Sequence, residues 1–238
     1  MNARAAKDPL HTSPRCATTP WATAAVAYDA WFGQPWGRYA FAVEFAAVLR
    51  AAGAIDGART LEAGCGTGRF GAALSDRHAA AVGIDPDPDM LSLARSRMAG
   101  RCVRGVVEHL PFPDATFDLT ICVTVLEFVA DPAVAVAELA RVTRGGGRIV
   151  IGALNPHSPW GLANRRRLRT ALWCKARFLR PAALRSLGAP HGHSTLHAAL
   201  YAPGALPGLP LLGPAFETIG KAAPAWGAFQ VLVIDKPT

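Results

Sequence analysis

Between residues 59 and 154 the chain alternates short apolar runs with segments of helical periodicity, and this alternation constrains the fold more than any other feature. Apolar runs of this length, separated by helices, are typical of parallel strands that are covered on both faces. The sequence therefore predicts an α/β fold. The predicted strands of this region are Arg59–Glu62, Ala80–Ile84, Cys102–Val107, Phe117–Val123 and Arg148–Leu154.

Helices are predicted before, between and after these strands. Two N-terminal helices, Trp21–Phe32 and Trp36–Arg50, are separated by Gly33-Gln34-Pro35. The helices that follow are predicted at Arg69–Arg77, Pro88–Met98, Pro132–Val142, residues 155–177 and Pro181–Leu187. The remaining predictions are a turn at Gly145-Gly146-Gly147, a sixth strand at His193–Leu200, a loop at Pro203–Pro214 and a last strand at Ala228–Ile234.

The composition indicates a folded chain: 51% of the residues are apolar and 18% are charged. Its length of 238 residues suits one large domain without disulfides. Residues 1–20 mix Pro, Thr, Ser and charge, so we expect a mobile leader without the apolar core of a secretory signal. No stretch approaches the roughly 18 apolar residues of a membrane span. We therefore expect one domain over residues 21–238.

The five cysteines are dispersed along the chain and form no C-x-x-C pair. This arrangement favours free thiols in a reducing cytoplasm. His191 and His193 flank a glycine, but no second cluster of metal ligands accompanies them. We therefore predict no metal site.

The net charge of +8 is concentrated in the C-terminal half. No acidic residue occurs between Glu138 and Glu217, while arginines cluster at 165–169 and continue to Arg185. Three interpretations of the basic segment 165–185 stay open: a solvated helix face, a grip on an anionic small molecule or lipid surface, and contact with nucleic acid.

The first predicted strand runs into the turn Glu62-Ala63-Gly64-Cys65-Gly66-Thr67-Gly68, after which a helix begins. A glycine-rich turn between strand and helix lets the backbone approach a ligand at the carboxyl edge of the sheet. The dinucleotide pattern G-x-G-x-x-G requires its third glycine at position 69, where this chain has Arg69. The spacing therefore counts against a dinucleotide site.

The turn fits a second pattern, E-x-G-x-G-x-G, followed by an acidic residue at the end of the next strand. Glu62 provides the first acid, and Asp85 in Gly83-Ile84-Asp85-Pro86 provides the second. Together with the segments 110–118 (LPFPDATFD) and 125–132 (VLEFVADP), the chain resembles the class I S-adenosylmethionine-dependent methyltransferases typified by the ubiquinone and menaquinone C-methyltransferases. The resemblance covers residues 28–154.

The resemblance implies a Rossmann-like fold: a mostly parallel seven-stranded sheet with helices on both faces and a final antiparallel strand. It divides the domain into an N-terminal helical lid (21–52), a cofactor-binding core (53–154) and substrate-side elements (155–238). The implied cofactor is S-adenosylmethionine, and the implied partner is a small-molecule acceptor. The residues that the resemblance assigns to the cofactor are Tyr28, Glu62, Ala63, Gly64, Cys65, Gly66, Gly68, Asp85, Pro86, Met90, Val107, Glu108, Leu110, Cys122 and Val123.

Within that set, Asp85 is expected to hold the ribose, and Pro86 and Met90 to flank the adenine. The family often has an Asp before the segment at Val107, but here Val106 occupies that position. Backbone groups near Val107 and Glu108 are then expected to contact the adenine, with Leu110 packed on the ring. The expected acceptor-side residues are Trp31, Trp36 and Arg38.

Three side chains near the expected sheet edge are candidates for a catalytic base: His109, Glu127 and His157. The sequence does not choose among them. Three other functions stay open: a nucleic-acid methyltransferase that uses the basic half, an NAD-dependent oxidoreductase, and a non-catalytic cofactor-binding protein. The absence of an N-P-P-Y-like or D-P-P-Y-like tetrapeptide after the fourth strand counts against the first of these.

Overall fold

The computed structural model describes residues 25–163, 176–202, 204 and 209–238. The predicted leader and the arginines at 165–169 lie outside these residues. In the described part, seven strands form one sheet. The strands are β1 (Arg59–Ala63), β2 (Ala80–Asp85), β3 (Cys102–Arg104), β4 (Phe117–Val123), β5 (Thr143–Leu154), β6 (His193–Ala199) and β7 (Phe229–Asp235).

The strand order is β3-β2-β1-β4-β5-β7-β6. Strands β1 to β5 pair in parallel, and β7 runs antiparallel to both of its neighbours. The order reverses beside β1, so the carboxyl ends of β1 and β4 border the crevice where such sheets bind ligands. The predicted fold class is confirmed.

Eight α-helices occur in the described residues. Two of the core helices begin with an aspartate followed by proline: the Asp87 carboxylate accepts hydrogen bonds from the Asp89 and Met90 amides, and the Asp131 carboxylate accepts one from Ala133. Both are stabilising N-caps. The helices are α1 (Ala25–Trp31), α2 (Pro35–Ala52), α3 (Arg69–Ser75), α4 (Pro88–Arg97), α5 (Pro132–Val142), α6 (Pro159–Ala163), α7 (Pro181–Gly188) and α8 (Leu209–Gly220).

Successive residues of the central strands belong alternately to two apolar layers, one on each face of the sheet. Ile121 of β4 packs in the layer with Phe45 and Val48 of α2, whereas its neighbour Cys122 packs in the layer with Leu139 of α5. Because both faces are covered, these strands are apolar throughout. Among the described residues, no helix combines the length and hydropathy that crossing a bilayer requires.

The predicted loop at Pro203–Pro214 is wrong in its second half, where α8 begins at Leu209 and contains Pro214. A proline inside a helix lacks one hydrogen-bond donor. Long-range contacts stabilise this helix, since the Tyr39 ring of α2 packs against Gly213 and its hydroxyl donates to the Gly213 carbonyl oxygen at 3.3 Å. Nothing in the local sequence indicates this contact.

The three glycines at 145–147 are not a turn before β5 but part of it. The register between β4 and β5 shifts after Phe117 pairs with Thr143, which is a bulge. Gly146 has a φ of +67° and donates its amide to the Pro237 carbonyl oxygen. Strand β3 is shorter than predicted, and Ala176 and Arg177, at the end of the segment predicted as helix, have no regular structure.

Candidate functional site

A cavity of about 150 Å³ lies at the carboxyl ends of β1, β2 and β4. The topology brings these three strand ends together because β1 pairs with both β2 and β4. The cavity wall combines the glycine-rich turn with residues of α1, α3 and α4. Its lining residues are Tyr28, Phe32, Glu62, Gly64, Cys65, Gly66, Thr67, Arg69, Phe70, Asp85, Pro86, Asp87, Met90, Val123, Thr124, Val125 and Phe128.

The turn after β1 exposes its backbone to this cavity. Gly64, Gly66 and Gly68 have φ angles of +73°, +51° and +78°, which favour glycine. A Cβ at Gly64 would lie 2.1 Å from the Val125 side chain, whereas a Cβ at Gly66 would meet nothing within 4 Å. Gly64 is therefore needed for packing, and Gly66 leaves open space beside the cavity.

Asp85 ends β2 with its carboxylate at the turn. Its Oδ2 accepts the Gly66 amide at 2.8 Å, and its Oδ1 accepts the Asp87 amide at 2.9 Å. A carboxylate has about four lone-pair sites, so each oxygen keeps capacity for one more donor. Burial raises the pKa of Asp85, and the two amides oppose that rise. The carboxylate is thus fixed in place and still able to bind a pair of hydroxyls.

Glu62 lies beneath the same turn and is almost fully buried. Its Oε2 accepts the Gly71 amide at 2.7 Å near the start of α3. Burial raises the pKa of Glu62 to about 8, and the neighbouring Asp85 adds to the rise. A bound positive charge would favour the ionised form of this carboxyl.

Tyr28 of α1 and Phe32, the residue after the end of this helix, cover the cavity, and their ring centroids are 5.2 Å apart. The helix is held there by Asp29, whose carboxylate contacts Arg69 at 2.9 Å and Arg97 at 2.6 Å. Arg97 also donates to the Thr67 carbonyl oxygen at 2.8 Å. One carboxylate therefore joins α1 to α3, α4 and the glycine-rich turn.

Many of the predicted cofactor residues meet at this cavity. Tyr28, Glu62, Gly64, Cys65, Gly66, Asp85, Pro86, Met90 and Val123 all line it. Gly68 precedes α3 beside it, and Ala63 and Cys122 are buried in the strands behind it. The sequence pattern thus converges on one place, and the part that each residue takes in binding stays a prediction.

Val107, Glu108 and Leu110 are not among the lining residues of the described cavity. Val107 and Leu110 are buried in the layer below the sheet, and Glu108 accepts the Ala130 amide at 3.0 Å. Of the expected acceptor-side residues, Trp36 stacks on Tyr39 and Arg38 donates to the Gly33 carbonyl oxygen. Trp31 packs edge-on against Phe32 at 5.0 Å, one residue from the cavity wall.

The structure separates the three candidates for a catalytic base. His109 and His157 are exposed, and neither lines the described cavity. Glu127 has no exposed surface and lies between Val125 and Phe128, which both line it. Within the described residues, no group of three or more His, Cys, Asp or Glu side chains is placed to hold a metal ion.

Eight lining residues were absent from the sequence prediction: Phe32, Thr67, Arg69, Phe70, Asp87, Thr124, Val125 and Phe128. Thr67 and Arg69 adjoin predicted glycines, so their position in the turn was a sequence signal that they line the cavity. The segment Thr124 to Phe128 follows β4 at the same sheet edge, which is a second signal. Phe32 reaches the cavity through the packing of α1, which has no local sequence signal.

Comparison with known proteins agrees with this geometry. Residues 61–151 match the family model described as a methyltransferase domain. An uncharacterized protein of Mycobacterium tuberculosis is 41% identical over 137 residues, which cover 57% of this chain and 46% of that protein. The malonyl-[acyl-carrier protein] O-methyltransferase of Serratia marcescens is 39% identical over 99 residues, covering 41% of this chain and 39% of that enzyme. The chain thus spans about half the length, or less, of these curated relatives.

A crystal structure from Thermotoga maritima superimposes with a TM-score of 0.73 and 25% identity, covering 92% of this chain and all of that one. That protein is described as an S-adenosylmethionine-dependent methyltransferase, possible histamine N-methyltransferase. Residues 61–151 of the present chain therefore form a methyltransferase domain, and the chain has the fold of the class I S-adenosylmethionine-dependent methyltransferases.

Proposed function

We propose that this chain transfers a methyl group from S-adenosylmethionine to a small-molecule acceptor. The observation that carries the proposal is the Asp85 carboxylate, which two backbone amides hold at the glycine-rich turn of one cavity. The matched methyltransferase domain begins at residue 61, at this same turn.

The charge of the cavity supports the proposal. Glu62, Asp85 and Asp87 line it, and the lining cation Arg69 is paired with Asp29. The cofactor carries a sulfonium and an ammonium group, so an acidic wall suits it. The open space at Gly66 leaves room for the backbone to approach a ligand. The residues present therefore fit this cofactor.

In the proposed mechanism Asp85 would accept hydrogen bonds from the ribose hydroxyls, and Glu62 would face the methionine end. Pro86 and Met90 would flank the adenine. When bound, the cofactor supplies an electrophilic methyl group on sulfur. Tyr28 of α1 and the adjoining Phe32 exclude water from the cavity, and the wall at Val123 to Phe128 positions the acceptor. Residues 21–52 then serve as the lid.

The acceptor follows from neither the fold nor the relatives. One relative is named as a malonyl-[acyl-carrier protein] O-methyltransferase and one structure as a possible histamine N-methyltransferase, so the fold alone does not determine the acceptor. For the basic segment 165–185, two alternatives remain: it contacts an anionic surface, or it contacts a nucleic acid. The dispersed cysteines support a cytoplasmic location, which is part of this proposal.

Calorimetry with S-adenosylhomocysteine tests the proposal. We expect the intact chain to bind it and to take up no NAD. Asp85→Asn places an amide against the Gly66 and Asp87 amides and removes the negative charge. Affinity should fall by about 10- to 100-fold, as expected for a hydrogen bond to a charged group. Asp118→Asn is the control, because Asp118 pairs with Arg59 and Arg144 at the opposite sheet edge.

Binding of NAD in place of S-adenosylhomocysteine would favour the oxidoreductase instead. If S-adenosylhomocysteine binds, incubation with methyl-labelled cofactor and a cell extract, followed by mass spectrometry, identifies the labelled acceptor. A protein that binds the cofactor and labels nothing would support the non-catalytic alternative.

A further inference from the structure

Two acidic side chains are buried behind the cavity wall and have no role in the proposed cofactor site. Glu44 lies on α2 and is 9% exposed, and Glu127 follows β4 and has no exposed surface. Neither forms an ion pair with a described residue. Arg177 donates its amide to the Glu127 carbonyl oxygen, but its guanidinium turns away and contacts the Val129 carbonyl oxygen at 2.6 Å. Two buried carboxyls are thus left without a cation in the described part of the chain.

The Glu127 carboxyl is held at one oxygen only. Its Oε1 accepts the Leu154 amide at 2.8 Å, where β5 continues beyond the end of β4. Its Oε2 is buried and has no hydrogen-bond partner among the described residues. A buried carboxyl oxygen without a donor is unfavourable, because it has lost its hydration and gained no hydrogen bond in return. Such an orphaned acceptor indicates that a donor is missing from this place.

Packing places this pair next to the cavity, because Ala40 and Val48, one helical turn on either side of Glu44, share an apolar layer with Val123 and Leu154. The charge of Glu127 acts on Glu44, and the charge of Glu44 acts on Tyr28, which lines the cavity. Glu127 is also flanked in the chain by Val125 and Phe128, which form the wall after β4. The two carboxyls therefore lie where α1, α2 and the ends of β4 and β5 meet. In the proposed mechanism this is the acceptor's end of the cavity.

Ionisation of both carboxyls is unfavourable, because both are buried and the charge of Glu127 adds to the cost of ionising Glu44. Burial raises the pKa of Glu44 to about 8, with a further contribution from Glu127, and raises that of Glu127 to about 7. A group with several N–H donors and a positive charge would satisfy the free oxygen and remove the repulsion. A neutral hydroxyl would supply one donor and no charge.

We propose that Glu44 and Glu127 bind the ammonium group of the methyl acceptor, which is therefore an amine. This inference rests on the proposed function. Glu127 Oε2 would also accept the proton that the ammonium must lose. The N–H bond breaks, an O–H bond forms, and the electron pair stays on nitrogen, which becomes nucleophilic.

The test titrates amines into the intact chain that is already saturated with S-adenosylhomocysteine. Saturation matters because Glu62 also has a raised pKa and would otherwise contribute protons. The probes are phenethylammonium and hexylammonium, each matched with its alcohol, 2-phenylethanol or hexanol. We expect at least one amine to bind tenfold more tightly than its alcohol. That preference should fall at least fivefold in Glu127→Gln and in Glu44→Gln, and persist in Asp118→Asn.

A second measurement does not depend on the variants folding. Calorimetry of the native chain at pH 7, in two buffers of different ionisation enthalpy, counts the protons released on amine binding. An ammonium ion that lowers the pKa of both carboxyls should release protons. Tyr28 and Cys122, whose pKa values burial raises further, stay neutral and contribute none.

The outcomes separate the two proposals. If S-adenosylhomocysteine binds but amines bind no better than alcohols, or without proton release, the amine site is wrong and the methyltransferase proposal stands. A preference for amines that both glutamine variants retain would equally overturn the role of this pair. If S-adenosylhomocysteine does not bind, both proposals fail.

Discussion

The Asp29 carboxylate and the Arg97 guanidinium form two hydrogen bonds, of 2.8 and 2.6 Å, that join α1 to α4. Both side chains are less than one-third exposed. Arg69 contacts the same carboxylate, and these hydrogen bonds lower the pKa of Asp29 despite its partial burial. The covering helix is therefore attached to the glycine-rich turn by charged hydrogen bonds.

We expect Asp29→Asn to loosen α1 over the cavity. The loss of charged hydrogen bonds is about 1 to 2 kcal/mol, which corresponds to roughly a 5- to 30-fold faster release of S-adenosylhomocysteine. Stopped-flow fluorescence measures that rate. Asp29→Glu keeps the negative charge, so its release rate should lie closer to that of the native chain. Unchanged release in a folded Asp29→Asn protein would show that α1 does not hold the ligand.

Two glycines of the same turn should respond differently to alanine. Gly64→Ala drives a methyl group into Val125, and the positive φ adds about 1 to 2 kcal/mol, so we expect a loss of roughly 2 to 5 kcal/mol of stability. Gly66→Ala meets no neighbour and should cost only the backbone strain.

The Gly66→Ala methyl group nevertheless projects into the open space beside the cavity. We therefore expect a folded protein whose affinity for S-adenosylhomocysteine is at least tenfold weaker. Urea denaturation and calorimetry on the two variants check this pair. Equal stability losses, or full affinity in Gly66→Ala, would contradict this account of the turn.

Glu44 should make the protein less stable as the pH rises. Its pKa is about 8 in the folded chain against an ordinary 4.5, so between these values the folded state holds a proton that the unfolded state has released. The free energy of unfolding then falls with rising pH, by up to about 1.4 kcal/mol per unit for a full proton. Glu62 and Glu127 act in the same direction.

We expect Glu44→Gln to reduce this decline between pH 5 and pH 8, as measured by urea denaturation at each pH. Glu138→Gln is the matched control, because Arg141 lowers the pKa of Glu138 and its effect appears only at more acidic pH. A decline in Glu44→Gln as steep as in the native chain would contradict the raised pKa.

The sequence predicts the centre of this molecule better than its edges, and the reason is the range of the interactions. Asp85 and the glycine turn follow from local pattern, because a strand, a turn and a helix start are each encoded within a few residues. Glu44 has no such signal. It is one acidic residue in a helix, and only the packing of α2 against the distant strands β5 and β7 buries it and makes it a site candidate.

Helix α8 shows the same limit at the C-terminal edge. A proline and glycine cluster predicts a loop, yet Glu217 of this helix accepts hydrogen bonds from the Tyr39 hydroxyl at 3.1 Å and from the Leu200 and Tyr201 amides at 3.0 and 2.8 Å. The partners of one carboxylate thus come from α2 and from the end of β6. The sequence pattern within the helix does not indicate these hydrogen-bond partners.

Glu217→Ala should therefore release α8 selectively. It leaves the Leu200 and Tyr201 amides without their acceptor, at a cost of about 1 to 3 kcal/mol for each unsatisfied group that stays buried. Hydrogen exchange should rise at least tenfold at these two amides and along α8, with little change in β1 and β4. Thr218→Ala is the control, since that exposed hydroxyl donates to the Pro214 carbonyl oxygen within the helix. Faster exchange throughout the sheet would mean that α8 is part of the cooperative core, and its proline would then be tolerated by the whole fold rather than by Tyr39 and Glu217.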